Sequence, residues 1–407
     1  MNKKFWFLFL TIFIDMLGVG ILIPVIPQLL GEPSSAFYLL GNNQENLGLL
    51  LLGVLMAMYP VASFFMAPVL GAMSDKYGRK PVLFISILGT AISYFIFAYA
   101  ILTKNIILLF ASRLVDGMTG GNISVAQAAI ADSTTAENRA KSFGAIGAAF
   151  GLGFIIGPFL GGVLSTPSVL PFFNASTPFI FSGILSLFNA FSIYFFFQES
   201  IKEKDHERKI DFFGAFKNII KTKIFSQEIR WLFLCSFLFN AGTAFFYSFF
   251  NVYLTNRFNF SSVQIGNFFA YVGIWIIITQ VVVVRYLAKR HEEINLIGIA
   301  YILNAFGVLL YLLPHQAWYL LLIVPIASIP NGVQMANFSS FLSKRTDEKV
   351  RGEVMGISSS VASLGQAIPP ILAGVIAAVS ASYMPILVGA SIVFSAGIIF
   401  IYKIKRA

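Results

Sequence analysis

Three ionisable side chains stand inside long apolar runs: Asp15, Arg113 and Asp116. Such groups are costly in hydrocarbon, so they face a bundle interior or a hydrated cavity and mark ion, proton or substrate paths. Arg113 and Asp116 are three residues apart and can neutralise each other on one helical face. That leaves two readings, a structural pair or the charged part of a site. Asp15 has no counter-charge on its own run, and burial disfavours the ionised form of a carboxyl; such a group can take up and release a proton. At about 100° per residue, Arg113, Asp116, Gly117, Gly120, Ser124 and Gln127 form one small and polar stripe, and Asn122, about 180° from Arg113, is expected to face another helix. Thr11, Asp15 and Gly18 share a face on the first run. The parts for enzyme chemistry are missing. His206, His291 and His315 fall in loops, and no nucleophile elbow, metal-ligand pair or phosphate-binding loop occurs. The expectation is a non-enzyme with no catalytic residue, no metal and no cofactor. The lone Cys235 excludes an intramolecular disulfide and reads as small apolar filler.

The elements that must hold these groups follow from hydropathy. Of 407 residues, 57% are hydrophobic and 11% charged, against roughly 25% charged in a soluble domain. The apolar residues come in runs near the roughly 20 residues that a bilayer-crossing helix needs. They are 5–30, 47–72, 81–103, 106–131, 142–165, 177–198, 231–254, 262–287, 294–313, 317–342, 353–380 and 383–402. Each must be a helix, because hydrocarbon offers no partner to open backbone groups. The prediction is an all-α membrane protein with twelve transmembrane helices and the lipid bilayer as its solvent. The start, Met1-Asn2-Lys3-Lys4, resembles a signal peptide, but the apolar run behind it is too long and contains Asp15, so it reads as an uncleaved first span.

The net charge of +10 is not spread evenly. With the N-terminus in the cytoplasm, all but three of the 28 Lys and Arg lie on the internal side; the exceptions are Lys104, Arg257 and Arg113. This positive-inside bias puts both termini in the cytoplasm, and the expected location is a bacterial inner membrane. A nucleic-acid surface would instead be contiguous and interleaved with aromatics. No nucleic acid is expected as partner, and the chain is expected to be a monomer.

Residues 199–230 form the longest polar stretch, mixed in charge, and read as a cytoplasmic linker with one surface helix near Phe212–Ile220. It separates an N-terminal six-helix bundle, 1–198, from a C-terminal one, 231–407. The halves share a pattern: Arg139, Gly144, Gly157-Pro158 and Gly162 return 212 residues later as Arg351, Gly356, Pro369-Pro370 and Gly374. Parallel duplication about an axis along the membrane normal is a transporter arrangement whose site lies between the halves.

Two further patterns are specific. The turn between the second and third spans reads Gly71-Ala-Met-Ser-Asp75-Lys-Tyr-Gly78-Arg79-Lys80-Pro81. Here Gly71 is expected to let two helices approach, Gly78 to permit a positive φ, and Asp75 with Arg79 to form a charged latch. In the fifth span, Gly153, Gly157 and Gly161 recur every four residues, a stripe suited to close helix packing, and Pro158 adds a kink.

The turn resembles the signature loop of the major facilitator superfamily. Arg113-xxx-Gly117-xxx-Gly121 resembles that superfamily's second motif, and Gly153-Phe-Ile-Ile-Gly157-Pro158-Phe-Leu-Gly161-Gly162 resembles the motif of its antiporters. With Asp15 through Pro27 in the first span and Ala131-Asp132 after the fourth, the chain is similar to the tetracycline/proton antiporter branch. The likeness covers the N-terminal half; Arg285-Tyr-Leu-Ala-Lys289-Arg290 is a degraded copy of the loop. The resemblance implies two pseudo-symmetric six-helix bundles. It implies that Asp75 docks on the start of the eleventh helix and that Arg79 pairs with Asp132, closing a cytoplasmic gate. It also implies a cavity lined by the first, fourth, seventh and tenth helices. The seventh offers Asn240, Thr243, Tyr247 and Asn251 on one stripe, and the tenth offers Asn331 and Gln334 beyond Pro325 and Pro330. Phe245, Phe246, Phe249, Tyr271 and Trp275 are candidates for a pocket wall.

The function expected from this is proton-coupled export of a small lipophilic or amphipathic compound by alternating access, with protons and that small molecule as partners. A symporter or facilitator importing a metabolite is one alternative, and a lipid-moving or receptor-like protein another. Where tetracycline pumps carry an aspartate before the third-helix tyrosine, this chain has Ser93 before Tyr94, and Tyr301 stands for the ninth-helix acid. Two missing carboxylates imply a different, less cationic substrate.

Overall fold

The computed structural model describes every residue except 1–2, 42–43, 133–135, 202–203, 206, 208–209, 214–216, 218–225, 346–350 and 406–407; for 3–5, 131, 136–148, 150, 339, 343, 351–353, 355–356 and 405 it describes the backbone alone. The surface helix expected near Phe212–Ile220 falls largely outside the described residues, as do the side chains of Arg139 and Arg351.

Among the described residues there are helices and turns and no strand. In chain order the helices are α1 (Lys3–Leu30), α2 (Glu45–Tyr77), α3 (Arg79–Leu102), α4 (Ile106–Thr119), α5 (Asn122–Asp132), α6 (Ala136–Leu164) and α7 (Thr177–Phe196). They continue as α8 (Gln227–Phe258), α9 (Ser262–Ile278), α10 (Val284–Ala288), α11 (Glu293–Leu310), α12 (Tyr319–Lys344), α13 (Arg351–Val379) and α14 (Met384–Phe400). One π turn, Thr279–Val283, joins α9 to α10, and another, Ile401–Lys405, follows α14.

Among the described residues, ten helical stretches are long and apolar enough to cross a membrane. Every predicted span falls on helix. The fourth is split into α4 and α5, and the fifth is α6, whose apolar part is Gly151–Leu164. The ends are fixed locally: Asn105 accepts the Leu108 N–H at 3.1 Å to start α4, and Ser226 accepts the Ile229 N–H at 3.4 Å to start α8. These caps satisfy donors that have no partner within the helix. α8 closes on Asn259, left-handed at φ 53°.

The chain forms two compact units. The first comprises Met1–Asn43, Met58–Gly214 and Ser261–Ala270; the second comprises Gln44–Ala57, Ala215–Phe260 and Tyr271–Ala407. In the first, α1 lies on α6 and α7, and α3 on α4 and α7. Leu8, Ile12, Leu83, Ile87, Ile193 and Phe197 make its apolar core. In the second, α8 lies on α13 and α14, and α11 on α12, around Leu232, Phe233, Ile297, Tyr301, Val393 and Phe400.

The 212-residue repeat returns as geometry. In the first unit the start of α9 crosses α6 so closely that a methyl group at Gly266 would meet the Pro158 carbonyl and lie 3.4 Å from Gly162 Cα. In the second unit the start of α2 crosses α13 in the same manner, and a methyl group at Gly53 would meet the Pro370 carbonyl and lie 3.0 Å from Gly374 Cα. Small residues at such crossings let backbones touch, which compensates for the lack of a hydrophobic drive between helices in lipid.

Candidate functional site

Arg113 and Asp116 lie one turn apart on α4, both buried, and form an ion pair between Arg113 Nη1 and Asp116 Oδ2. The guanidinium also stands over the ring of Tyr59 from α2, 5.0 Å from its centroid, a cation–π contact that gains strength away from water. Ser93 of α3 sits beside the Asp116 carboxylate. The guanidinium is thus engaged through Nη1 and its face by its own helix and by α2, while its Nε has no hydrogen-bond partner among the described residues. Asp15 on α1 is buried too, and its Oδ2 has no hydrogen-bond partner among the described residues. The Tyr94 hydroxyl of α3 occupies the space in front of Gly18, one turn along α1.

The expected stripe on the fourth span does not continue unbroken. α4 ends at Thr119, where the Thr119 hydroxyl turns back on the carbonyls of Val115 and Asp116 at 3.1 Å each. Gly120 and Gly121 accommodate α2, packing on Tyr59 and on Ala67. This break resets the helical phase. Arg113, Asp116 and Gly117 are buried, whereas Ser124 is exposed and Gln127 half-buried. Asn122 is fully buried on α5 and faces another helix, α1, beside the Asp15 carboxyl.

The turn between α2 and α3 is held by charges. Arg79 is buried; its Nη1 lies 2.7 Å from Asp75 Oδ1 and 2.5 Å from Ser74 Oγ, and its Nε donates to Asp132 Oδ2 at 3.0 Å. Gly78 has φ 110°. Glu199, just past α7, accepts the Arg79 N–H at 3.0 Å and the Lys80 N–H at 3.2 Å, and the Asp205 N–H donates to the Asp75 carbonyl at 3.1 Å. Gly71 makes no close approach: a methyl group there would meet nothing within 4 Å. Its carbonyl instead accepts Ser74 Oγ at 2.7 Å, so the expected helix contact at Gly71 is replaced by a local bond that orients Ser74 toward Arg79.

The glycine stripe of α6 packs on α1. Methyl groups at Gly157 and Gly161 would lie 2.6 Å from the Leu17 carbonyl and 2.5 Å from the Ile21 carbonyl, and Gly153 faces Met16 and Leu17. Pro158 fits against Gly20, whereas Gly162 points elsewhere, to Ser262 and Val263. The helix that carries Asp15 is therefore seated backbone to backbone.

In the second unit the polar residues expected to line a cavity are neutral, and they bond to one another or to nearby backbone groups. Asn331 Nδ2 donates to the Tyr247 hydroxyl at 3.3 Å, Gln334 Nε2 to the Tyr301 hydroxyl at 3.1 Å, and Gln366 Nε2 to Asn240 Oδ1 at 3.2 Å. Thr243 bonds the Phe239 carbonyl at 2.9 Å, and Asn251 is buried with Oδ1 accepting the Val252 N–H at 3.2 Å. Phe245, Phe246 and Phe249 are core residues rather than pocket wall: all are buried, Phe245 against Gly389 and Phe246 against Phe250 and Tyr311. Tyr271 and Trp275 stay half-buried, edge to face at 6.4 Å.

Four residues escaped the reading of the sequence. Ser74 and Glu199 bind Arg79, Asn122 flanks Asp15, and Asn189 of α7 accepts the Thr11 hydroxyl at 3.3 Å. Glu199 left one usable signal, an acid where an apolar run ends in a basic neighbourhood. Asn189 left another, an amide in the middle of a span.

The family model of the Major Facilitator Superfamily matches residues 8–368 and 276–407. The tetracycline resistance protein, class H, of Pasteurella multocida is 30% identical over 384 residues, covering 94% of this chain and 91% of that protein. The multidrug resistance protein 1 of Bacillus subtilis (strain 168) is 28% identical over 384 residues, covering 94% and 92%. Among solved structures, the human organic anion transporter TETRAN superposes with a TM-score of 0.73 at 22% identity, covering 98% of this chain and 100% of the other.

Proposed function

The chain belongs to the major facilitator superfamily of integral, multi-pass membrane transporters, and from that premise we propose that it is a proton-coupled antiporter. It exports a small lipophilic or amphipathic compound by alternating access of an N-terminal and a C-terminal bundle joined by the 199–230 linker. Relatives named for tetracycline and multidrug resistance support the efflux class.

One observation carries the coupling: Arg113 pairs with Asp116 and stacks on Tyr59, and Asp15 is a separate buried carboxyl with no hydrogen bond to Oδ2 among the described residues. A carboxyl so placed is able to carry a proton and to release it where water or a cation reaches it. In this reading Asp15 takes a proton from the outside and gives it up to the cytoplasm as the substrate moves the other way. Arg113 and Asp116 keep the remaining charge of the bundle balanced. Asp75, Gly78, Arg79 and Asp132, with Gly71 leading into them, form the cytoplasmic gate of a bacterial inner-membrane protein whose termini both lie inside. Asn240, Thr243, Tyr247, Asn251, Asn331 and Gln334, all neutral, favour an uncharged or weakly charged substrate, as do Ser93 and Tyr301 where tetracycline pumps carry acids.

Proteoliposomes with an imposed pH gradient test this on a panel of lipophilic compounds. Substrate movement against the proton flux, lost in Asp15→Asn while downhill exchange persists, is the expected result. Movement with the protons makes the protein a symporter, and no proton-dependent flux of any compound leaves a facilitator or a lipid-moving protein.

A further inference from the structure

Among the described residues, buried polar atoms without hydrogen-bond partners gather in the first unit, Arg113 Nε of α4 and both side-chain atoms of Asn122 on α5 among them. A further set of four residues contributes Asp15 Oδ2, Asn189 Nδ2, Ser186 Oγ and Ser86 Oγ. The four residues are each less than a tenth exposed. Polar groups buried in a native protein are nearly always bonded, to protein or to ordered water.

The helix registers bring these atoms together. On α7, Phe179, Ser182, Ser186 and Asn189 lie on one face; on α3, Ser86, Thr90, Ser93 and Phe97 do the same. The two faces meet at one end, where the Phe97 and Phe179 rings stand 4.2 Å apart. Phe84 and Tyr194, at 5.1 Å, fix the antiparallel register toward the other end. Ser86 therefore comes level with Asn189, and Thr90 with Ser186. α1 joins them through the Thr11–Asn189 hydrogen bond, and Asp15 lies one turn further on the Thr11 face. Several neighbours are already engaged: Ser182 with the Pro178 carbonyl at 3.0 Å, Thr90 with Thr119 at 2.9 Å, Ser93 with the Thr90 carbonyl at 2.7 Å. Leu8, Leu83, Ile193 and Phe197 belong to the apolar core of the same unit, and Phe97 packs on Phe179 toward the other end.

We infer that Thr11, Ser86, Ser186 and Asn189 enclose a water-binding pocket behind Asp15, in which Asn189 positions water against Asp15 Oδ2. A buried water takes two to four hydrogen bonds, and these side chains supply two donor–acceptor hydroxyls, one amide donor and one carboxyl oxygen. Its neighbours fit that role. The titratable groups that interact with Asp15 from other helices are Asp116 on α4, Tyr94 on α3 and Tyr59 on α2, and the Asn122 amide of α5 stands beside the carboxyl; none of these comes from α7. The water solvates the Asp15 carboxylate once its proton has left, without opening it to the substrate path. Asn189 is a positioning residue that acts through this water. This role rests on Asp15 being the proton carrier; the pocket itself does not.

Infrared difference spectroscopy on the full chain in proteoliposomes, between protonated and deprotonated states, tests both parts. The Asp15 carboxyl C=O band is assigned by its loss in Asp15→Asn, and bound water by bands that shift in H2-18-O. In Asn189→Leu the water band is expected to vanish and the Asp15 band to move to higher wavenumber, because the carboxyl loses a hydrogen bond. Asn189→Ser, which keeps a donor, should retain both. Should Asn189→Leu fail to fold, the Ser86→Ala/Ser186→Ala double variant takes its place, with the same loss expected. A water band that persists unchanged in these variants overturns the pocket. If Asp15→Asn removes no carboxyl band, the proton-carrier reading fails, and the water band alone still decides the pocket.

Discussion

Glu199 closes the N-terminus of α3 from outside that helix, its two carboxylate oxygens accepting the N–H groups of Arg79 and Lys80 at 3.0 and 3.2 Å. A helix start concentrates unsatisfied donors and partial positive charge, and a carboxylate there contributes up to about 2 kcal/mol in a partly buried setting. The same residue thus fixes the backbone of Arg79 while Asp75 and Asp132 hold its side chain. Glu199→Ala should lower the melting temperature of the purified protein and slow transport. Glu199→Gln, which keeps an acceptor but no charge, should fall between it and wild type. An unchanged melting temperature for Glu199→Ala would show that the cap contributes nothing.

Gly78 makes this arrangement possible. Its φ of 110° and ψ of 154° lie in a region essentially reserved for glycine, where other residues cost about 1–3 kcal/mol. A side chain would also run into the Glu199 carboxylate. Gly78→Ala should therefore destabilise the protein measurably in thermal unfolding, whereas Gly71→Ala, with open space at its Cβ position, should not. Equal losses in the two variants would contradict the assignment.

The Arg113–Asp116 pair makes a sharper test, because removing one partner leaves the other charged and buried. Breaking such a pair costs about 3–5 kcal/mol, while replacing both partners is often near neutral. Asp116→Asn should give poorly folding protein, and Arg113→Gln/Asp116→Asn should recover most of the melting temperature. If the double variant is no more stable than the single one, Asp15 rather than Asp116 is the main partner of Arg113.

Much of this was legible in the residues themselves. Twelve apolar runs dictate helices because hydrocarbon permits nothing else, and Arg113, Asp116 and Asp15 announce themselves by the cost of burying them. What failed was phase. The break at Gly120–Gly121 depends on Tyr59 and Ala67 of another helix, so periodicity along the fourth run alone carries Ser124 and Gln127 onto the buried stripe. Gly71 misled for the opposite reason, since a glycine in a motif permits a close approach without requiring one. Phe245, Phe246 and Phe249 are ambiguous by type, because aromatic residues suit both a pocket wall and a packed core, and only the facing helices decide between them. Glu199 and Asn189 act across long sequence separations, which no local pattern encodes.

The repeat predicts two substitutions with matching effects. A methyl group at Gly162 would lie 3.1 Å from the Val263 Cα, and one at Gly374 would lie 3.2 Å from the Gly53 Cα, in each case between backbones that side chains cannot relieve. Forcing extra atoms into such a contact costs about 1–3 kcal/mol, and separating the helices also loses the close packing that replaces hydrophobic drive in lipid. Gly162→Val and Gly374→Val should therefore lower the melting temperature in detergent by similar amounts. Because each crossing lies within one unit, the two losses should add in the double variant. A large loss at Gly162 with none at Gly374 would mean that the matched prolines and glycines of the two halves share a sequence pattern but no longer the same packing.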